Sequence, residues 1–236
     1  MLTLEIGEAA DFFHTSENIA YADIFIDGRR ETHRLRSESF KQWLRVQYYK
    51  KHGGAPNSDG LQAALSTMEA QAQIDGPTRE VFLRTGYHDG RFYLDLCDDE
   101  WRIVEIGPGE EGWRVIRSNE AGVRFRRVPT MRPLPVPTCD GSIDDLRTLL
   151  NIRTADEFVL VVTFLLATLR PVGKEPICAR AFPVLAITGP KGAAKSGLPK
   201  IVRRLVDPNQ LPIRSPSKTE QDMFIAARES LVYNVD

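Results

Sequence analysis

The sequence predicts an α/β domain that is built around a glycine-rich loop and that follows an α+β domain. Three observations predict this organisation. Residues 1–130 hold short apolar runs separated by Asp-Gly turns, together with two helical patterns. Residues 131–140 lie in a stretch with four prolines, which is typical of a linker. Residues 141–236 hold helical patterns and an apolar run, residues 184–187, which predicts a short strand that enters the glycine-rich loop.

The composition is that of a soluble globular protein. The chain has 236 residues, which suits one large or two modest domains. Its hydrophobic content of 42% and its charged content of 27% are typical of folded proteins. The formal net charge of −1 excludes a global polycation, so any nucleic-acid surface has to be a local patch.

The sequence predicts a cytoplasmic protein. Its three cysteines, Cys97, Cys139 and Cys178, are too widely spaced for a disulfide framework or a metal cluster, which fits a reducing compartment. The N-terminus lacks the basic-then-apolar order of a signal peptide. The most apolar run, residues 158–169, is too short to span a bilayer and predicts a buried helix.

The first elements are a hairpin and two helices. Residues 21–36 alternate apolar and polar side chains around the turn Asp27-Gly28, which predicts a β-hairpin. Ser37 or Ser39 is expected to cap a helix that ends in basic residues and glycine near 50–54. A second helix is predicted from Asn57 to about Ile74, where Gly-Pro stops it.

A β-rich part follows. Strands are predicted at 81–83, 92–96, 101–106 and 113–116, with a further short run at 123–125. After the proline-rich stretch, helices are predicted from Ser142, over 156–169, after the glycine-rich loop and over 219–228. The last apolar run, residues 231–236, predicts a strand that ends in an acid.

The glycine-rich loop matches a relaxed phosphate-binding pattern. The P-loop signature is G-x-x-x-x-G-K-[ST] between a strand and a helix; here Ala194 takes the place of the second glycine. Backbone N–H groups of such a loop and the positive end of the new helix hold a phosphate, while the lysine neutralises it and the hydroxyl binds Mg²⁺. The predicted nucleotide-binding residues are Gly189, Pro190, Lys191, Gly192, Ala193, Ala194, Lys195, Ser196 and Gly197.

Two residues depart from an active loop of this kind. Gly197 lies in the first helical turn, where glycine is unfavourable, and Pro199 follows close behind it, so the helix is expected to start late or to bend. The alternative interpretation is an ordinary β-turn-α connection that happens to contain Lys-Ser.

Asp236 is the candidate for the second acid of such a site. P-loop proteins hold the Mg²⁺ shell with an acid at the end of a neighbouring strand. Asp236 follows the apolar run and lies about forty residues after Lys195, so Ser196 and Asp236 are the predicted metal ligands and Lys195 and Asp236 the catalytic pair. Asn234 is unusual in a strand that would be buried on both faces. The alternative is an acid on an ordinary strand.

Three segments resemble a known family. They are Pro183-Val-Leu-Ala-Ile-Thr-Gly with the Lys-Ser pair, Arg203-Arg-Leu-Val-Asp-Pro-Asn209 and Asp222-Met-Phe-Ile-Ala-Ala-Arg228. Over 134–236 the chain resembles bacterial and phage ATP-binding proteins of mobile elements, which are similar to the superfamily 3 primase-helicase ATPases of the AAA+ class. The resemblance implies ATP and Mg²⁺ as cofactors, a role in DNA replication and a hexameric ring.

The same resemblance implies roles for three residues and an incomplete domain. Lys195 would bind phosphate, Ser196 would bind Mg²⁺, and Asp236 would be the Walker B acid. If Asp236 has that role, the chain holds only the front part of an AAA+-like core, and hydrolysis of ATP by this chain alone is not expected.

A basic and aromatic patch is a candidate nucleic-acid surface. Trp101, Trp113 and Phe125 and the arginines of this β-rich part are expected to form a common surface, and such surfaces bind single strands by stacking and charge. The arginines are Arg124, Arg126 and Arg127. A second basic hairpin carries Arg29, Arg30, Arg34 and Arg36. The alternatives are aromatic core residues and solvated charges; the four histidines have no ligand spacing, and no zinc is expected.

Three functions are compatible with these patterns. The first is an ATP-binding, Mg²⁺-dependent part of a DNA helicase or primase-helicase. The second is a degenerate, non-hydrolysing P-loop protein whose N-terminal domain binds DNA or a replication partner. The third is a small-molecule kinase, which the long N-terminal α+β domain disfavours.

Overall fold

A computed structural model describes residues 10–109, 112–173, 181–193 and 195–236. Within these residues the chain forms two small antiparallel sheets and six helices. It divides into two compact units. The first contains residues 10–82 and 117–127, and the second contains residues 83–116 and the described part of 128–236.

The first unit is built on a three-stranded antiparallel sheet. Its strands are β1 (Ala10–His14), β2 (Ala20–Ile26) and β3 (Arg29–Arg34), in that order. Asp27 and Gly28 form the β2–β3 turn with positive φ angles of 49° and 76°, which confirms the predicted hairpin. Strand β1 was not predicted, because Phe12 and Phe13 are both buried and the apolar-polar alternation is lost.

Two helices cover one face of this sheet. Helix α1 (Glu38–His52) begins after Ser37, whose hydroxyl accepts the Phe40 N–H, and ends at Gly53 in the left-handed conformation. Helix α2 (Ser58–Ile74) begins after Asn57, whose side chain accepts the Gly60 N–H. Both predicted helices are confirmed. Their apolar faces pack on the sheet in one core cluster, whose fully buried members include Ala22, Leu35, Phe40, Leu44, Leu65 and Met68.

The second unit begins with a four-stranded sheet. Its strands are β4 (Thr85–His88), β5 (Arg91–Asp95), β6 (Arg102–Ile106) and β7 (Trp113–Arg117), in sequence order. The predicted turn at Asp89-Gly90 is confirmed, and so are the strands predicted at 92–96, 101–106 and 113–116. The strand predicted at 81–83 is wrong. Phe82 forms only an isolated bridge, to Phe125, and the ladder begins at Thr85, after Arg84 has turned into the interior.

The chain divides between residues 127 and 128, close to the predicted boundary, and also between 82 and 83 and between 116 and 117, which were not predicted. The proline-rich stretch packs on the second sheet, since the Leu134 N–H donates to the Leu96 carbonyl at 2.8 Å and the Leu134 side chain is buried. Leu134 shares an apolar cluster with Leu96 and Val104. The second sheet therefore groups with the C-terminal residues and not with residues 10–82.

Four helices follow. A 3₁₀ helix spans Ile143–Thr148, helix α3 spans Ala155–Thr168, helix α4 spans Gly197–Val206 and helix α5 spans Glu220–Ala227. Thr154 and Thr219 cap α3 and α5 with their hydroxyls. No helix among the described residues is long and apolar enough to cross a membrane.

Helix α3 is buried on one face only, so the prediction of a buried helix is confirmed for that face alone. Phe158, Val161 and Leu165 are buried against α4 and the residues near Val232. Residues on the other face are exposed, namely Val159, Leu160 and Leu166. The sequence alone did not distinguish the two faces, because the run is apolar all round.

The two strands predicted around the glycine-rich loop do not form. Residues 182–190 have no regular secondary structure, and Val184 is 91% exposed. Residues 231–236 form one isolated parallel bridge, between Val235 and Arg214. A strand is stable only when a neighbour accepts and donates its backbone hydrogen bonds, and the described residues supply no ladder to either segment. The predicted α/β P-loop domain therefore stays a prediction.

Candidate phosphate and metal site

The loop before helix α4 makes a tight turn. The Ala193 N–H donates to the Pro190 carbonyl at 3.3 Å, and Gly192 has a φ of +87°, a left-handed conformation that glycine adopts without strain. Pro190, Lys191 and Gly192 are exposed. The predicted loop residue Ala194 lies outside the described residues, as does Cys178. The tip of the loop is thus open to a ligand from solvent.

Lys195 folds back over this loop. Its ammonium donates to the Gly189 carbonyl at 2.7 Å and to the Pro190 carbonyl at 2.8 Å. The side chain is half-buried. The ammonium has three donors, so two of them are used within the loop and one is left for another acceptor. The cation predicted to meet a phosphate therefore lies directly at the loop that would hold it.

Helix α4 begins at Gly197, directly after Ser196. The expected late start does not occur. Pro199 is the third residue of the helix, and the first four N–H groups of a helix have no internal partner, so proline removes no helical hydrogen bond there. Val202 and Val206 are buried and anchor the helix.

The hydroxyl of Ser196 does not cap the helix. It donates instead to the Oδ2 atom of Asp236 at 3.0 Å. The two predicted metal ligands, forty residues apart in sequence, are therefore in contact. Both side chains are exposed.

The chemistry of this pair fits Mg²⁺. A hydroxyl and a carboxylate are hard oxygen donors, and Mg²⁺ in phosphate-binding sites takes one or two such protein ligands and fills its shell with water and phosphate oxygens. The described residues contain no group of three or more His, Cys, Asp or Glu side chains that would make a closed metal site. The pair is suited to an open site completed by a phosphate ligand.

Sequence reasoning missed a buried charge cluster behind helix α4. Asp207 follows the helix directly, and its Oδ2 accepts the N–H groups of Leu231 at 2.9 Å and Val232 at 3.2 Å. Arg84 Nε lies 3.4 Å from Asp207 Oδ1, and an Arg203 nitrogen lies 3.8 Å from Oδ2. All three charged side chains are at most 1% exposed. The sequence carries only the Asp-Pro-Asn that ends a helix, which does not indicate a buried ion pair.

The two arginines of this cluster make further hydrogen bonds besides their contacts with Asp207. Arg84 also donates to the carbonyls of Asp95, Arg132 and Pro208, and Arg203 donates to the Ser230 hydroxyl at 3.0 Å. Burial raises the pKa of Asp207, while Arg84 and the Val232 N–H act in the opposite direction. Burial likewise lowers the pKa of Arg203. The cluster joins helix α4, the second sheet and residues 230–232.

The predicted nucleic-acid patch is used largely for internal contacts. Arg124 Nε donates to Asp23 at 2.6 Å, and its guanidinium lies 5.3 Å from the centre of the Phe13 ring. Phe125 is 3% exposed and packs near Phe82, so it offers no stacking surface. Arg126 and Arg127 are half-buried and have partners of their own.

The basic hairpin is also paired. Arg29 contacts Glu31, and Arg36 contacts Glu69. Arg30 donates to the carbonyls of Ala121 and Val123 within the first unit. These arginines have structural partners that a nucleic acid would have to replace.

No family model, no curated protein and no solved structure matches this chain in the comparisons with known proteins. The interpretation of the site therefore depends on its own residues and geometry.

Proposed function

We propose that this chain binds ATP with Mg²⁺ at residues 189–197 and Asp236. The observation that carries the proposal is the contact between Ser196 and Asp236. Each residue fits its role through a different sequence pattern, the loop signature for one and an acid after an apolar run for the other. A folded chain that brings them within 3.0 Å supports a common role.

The surroundings of the pair support an anionic ligand. Helix α4 starts beside Ser196, and the N–H groups of its first turn have no helical acceptor, so they favour a phosphate. Lys195 adds a cation at the same end of the helix. When nucleotide is bound, Lys195 would exchange its two carbonyl partners for phosphate oxygens, and Ser196 and Asp236 would hold the magnesium ion.

The activity class is a further part of the proposal. The resemblance to superfamily 3 primase-helicase ATPases supports a motor that couples ATP hydrolysis to work on DNA. One observation favours binding without turnover as a second candidate. Residues 182–190 are not paired in a sheet, whereas P-loop catalysis depends on a loop held rigidly by a strand.

Titration of a fluorescent ATP analogue tests the proposal. Wild type is expected to bind saturably, and Lys195→Ala to bind roughly 10- to 100-fold more weakly, since a hydrogen bond to a charged group is lost. Lys50→Ala is the matched control, because Lys50 is an exposed lysine in the last turn of α1. Equal affinity of wild type and Lys195→Ala would contradict the proposal, as would no saturable binding by folded wild type.

A hydrolysis assay separates the two candidates. Phosphate release that single-stranded DNA accelerates would favour the helicase class. Tight nucleotide binding with no phosphate release, with or without DNA, would favour the non-hydrolysing module.

A further inference from the structure

Residues 230–236, called here the return segment, lie along helix α4 in the opposite direction. At the end of the helix, Asp207 accepts the N–H groups of Leu231 and Val232. At the beginning of the helix, the Ser196 hydroxyl donates a hydrogen bond to the Asp236 carboxylate. The return segment is therefore tied to α4 at both ends of the helix.

Between these two ends, the Asn234 side chain bonds the return segment to the first turn of helix α4. Its side-chain nitrogen donates to the carbonyl of Pro199 at 2.8 Å and to the carbonyl of Pro212 at 3.0 Å. Pro199 lies in the first turn of α4, three residues after Ser196. Both amide hydrogens of Asn234 are thereby used, and no apolar side chain of similar size could make these bonds.

The backbone beside Asn234 is also held. The Arg214 N–H donates to the Asn234 carbonyl at 3.0 Å, and the Asp236 N–H donates to the Arg214 carbonyl at 3.1 Å. Alternate residues of an extended chain point to the same side, and Asn234 and Asp236 both contact the start of α4. The Asn234 side chain thus fixes the side of the return segment that carries the Asp236 carboxylate.

We infer that Asn234 is a positioning residue for the magnesium site: it holds the return segment on the first turn of α4, so that the Asp236 carboxylate meets the Ser196 hydroxyl. The inference rests on the proposed function. It also gives a physical reason for a polar side chain within an otherwise apolar run, where the sequence alone predicts an apolar residue. Asp207 holds the far end of the segment, four residues or more from Asp236, and so has less influence on the carboxylate.

The test measures how much Mg²⁺ strengthens nucleotide binding in each variant. The fluorescent ATP analogue is titrated with Mg²⁺ and with a chelator, and the ratio of the two affinities is compared. Asn234→Ala is expected to lower this ratio about tenfold, the usual effect of losing a residue that orients a metal ligand. Its affinity without Mg²⁺ is expected to stay within about twofold of wild type, because the Lys195 loop is untouched.

Asn209→Ala is the matched control. Asn209 is another half-buried asparagine of the second unit, and its side chain bonds Thr130 and the Leu211 N–H, away from the return segment. It is expected to leave the ratio unchanged. If Asn234→Ala does not fold, Asn234→Ser replaces it. Serine keeps a polar side chain but is too short to reach the Pro199 carbonyl, so this variant is also expected to lower the ratio.

The outcomes separate the two proposals. Wild type that binds nucleotide equally well with and without Mg²⁺ would overturn the magnesium site and the inference together. A clear Mg²⁺ effect in wild type that is the same in a folded Asn234 variant would overturn the inference alone. A loss of affinity that is equal with and without Mg²⁺ would also overturn it, since this would indicate a purely structural role.

Discussion

The core of the first unit and the region around helix α4 are stabilised in different ways. The first unit buries apolar side chains of two helices against a regular sheet. The region around α4 has an apolar cluster too, but Arg84, Arg203 and Asp207 are buried beside it and bond four separate segments. Local sequence patterns specify the first arrangement, whereas the second depends on partners more than a hundred residues apart.

The largest loss of stability is expected from substitution of the buried acid. Asp207→Asn is expected to destabilise the chain by about 3–5 kcal/mol, because Arg84 and Arg203 lose their counter-charge in the interior. Urea unfolding of wild type and variant measures the difference. Asp140→Asn, at an exposed position, is the control and should change stability by less than about 0.5 kcal/mol. A similar small effect at Asp207 would mean that the cluster contributes little.

Truncation of a buried apolar side chain tests how much the core of the first unit contributes to stability. Leu65 is fully buried in helix α2, so Leu65→Ala is expected to cost about 2–5 kcal/mol through lost burial and the cavity left behind. Ile74→Ala is the control on the same helix, because Ile74 is 79% exposed. If both variants unfolded at the same urea concentration as wild type, the apolar core would not stabilise this unit.

The N-terminal cap of helix α1 makes a smaller contribution to the stability of the first unit. Ser37→Ala removes the acceptor of the Phe40 N–H and is expected to cost about 1 kcal/mol. Ser39→Ala, the other serine that the sequence offers as a cap, lies inside α1 and is expected to cost less. Thermal unfolding of the two variants distinguishes them, and a larger loss at Ser39 would reverse the assignment of the cap.

The smallest expected effect is a pH dependence at helix α3. The Glu157 carboxylate accepts the N–H groups of Arg153 and Thr154, and these bonds lower its pKa below the ordinary value of 4.5. A lowered pKa stabilises the fold fully above pH 4.5, and this stabilisation is lost as pH falls through the lowered value. Melting temperatures of wild type and Glu157→Gln should therefore differ at pH 7 and converge in acid. A constant difference at every pH would contradict this.

The sequence predicted local elements better than their assembly. The Asp27-Gly28 hairpin, the Ser37 and Asn57 caps and most strands of the second sheet follow from turn chemistry and periodicity, which act over a few residues. The strands expected at 184–187 and 231–236 depend on pairing partners, and periodicity carries no information about these. The contact of Ser196 with Asp236 was implied by a motif, whereas the Asp207 cluster had no sequence signal.

The attachment of the return segment at both ends of α4 has a consequence for insertions and deletions. Pro212 and Arg214 bond the return segment, whereas the residues between Arg214 and Leu231 connect these contacts to the end of the helix, so their number can change at exposed positions without moving Asp207 or Asp236. One residue added between Val232 and Asp236 would shift the carboxylate by about 3.3 Å along the segment, which exceeds its distance to Ser196. Insertions and deletions are therefore expected to be tolerated at exposed positions between Arg214 and Leu231 and to disrupt the site when they fall within the return segment.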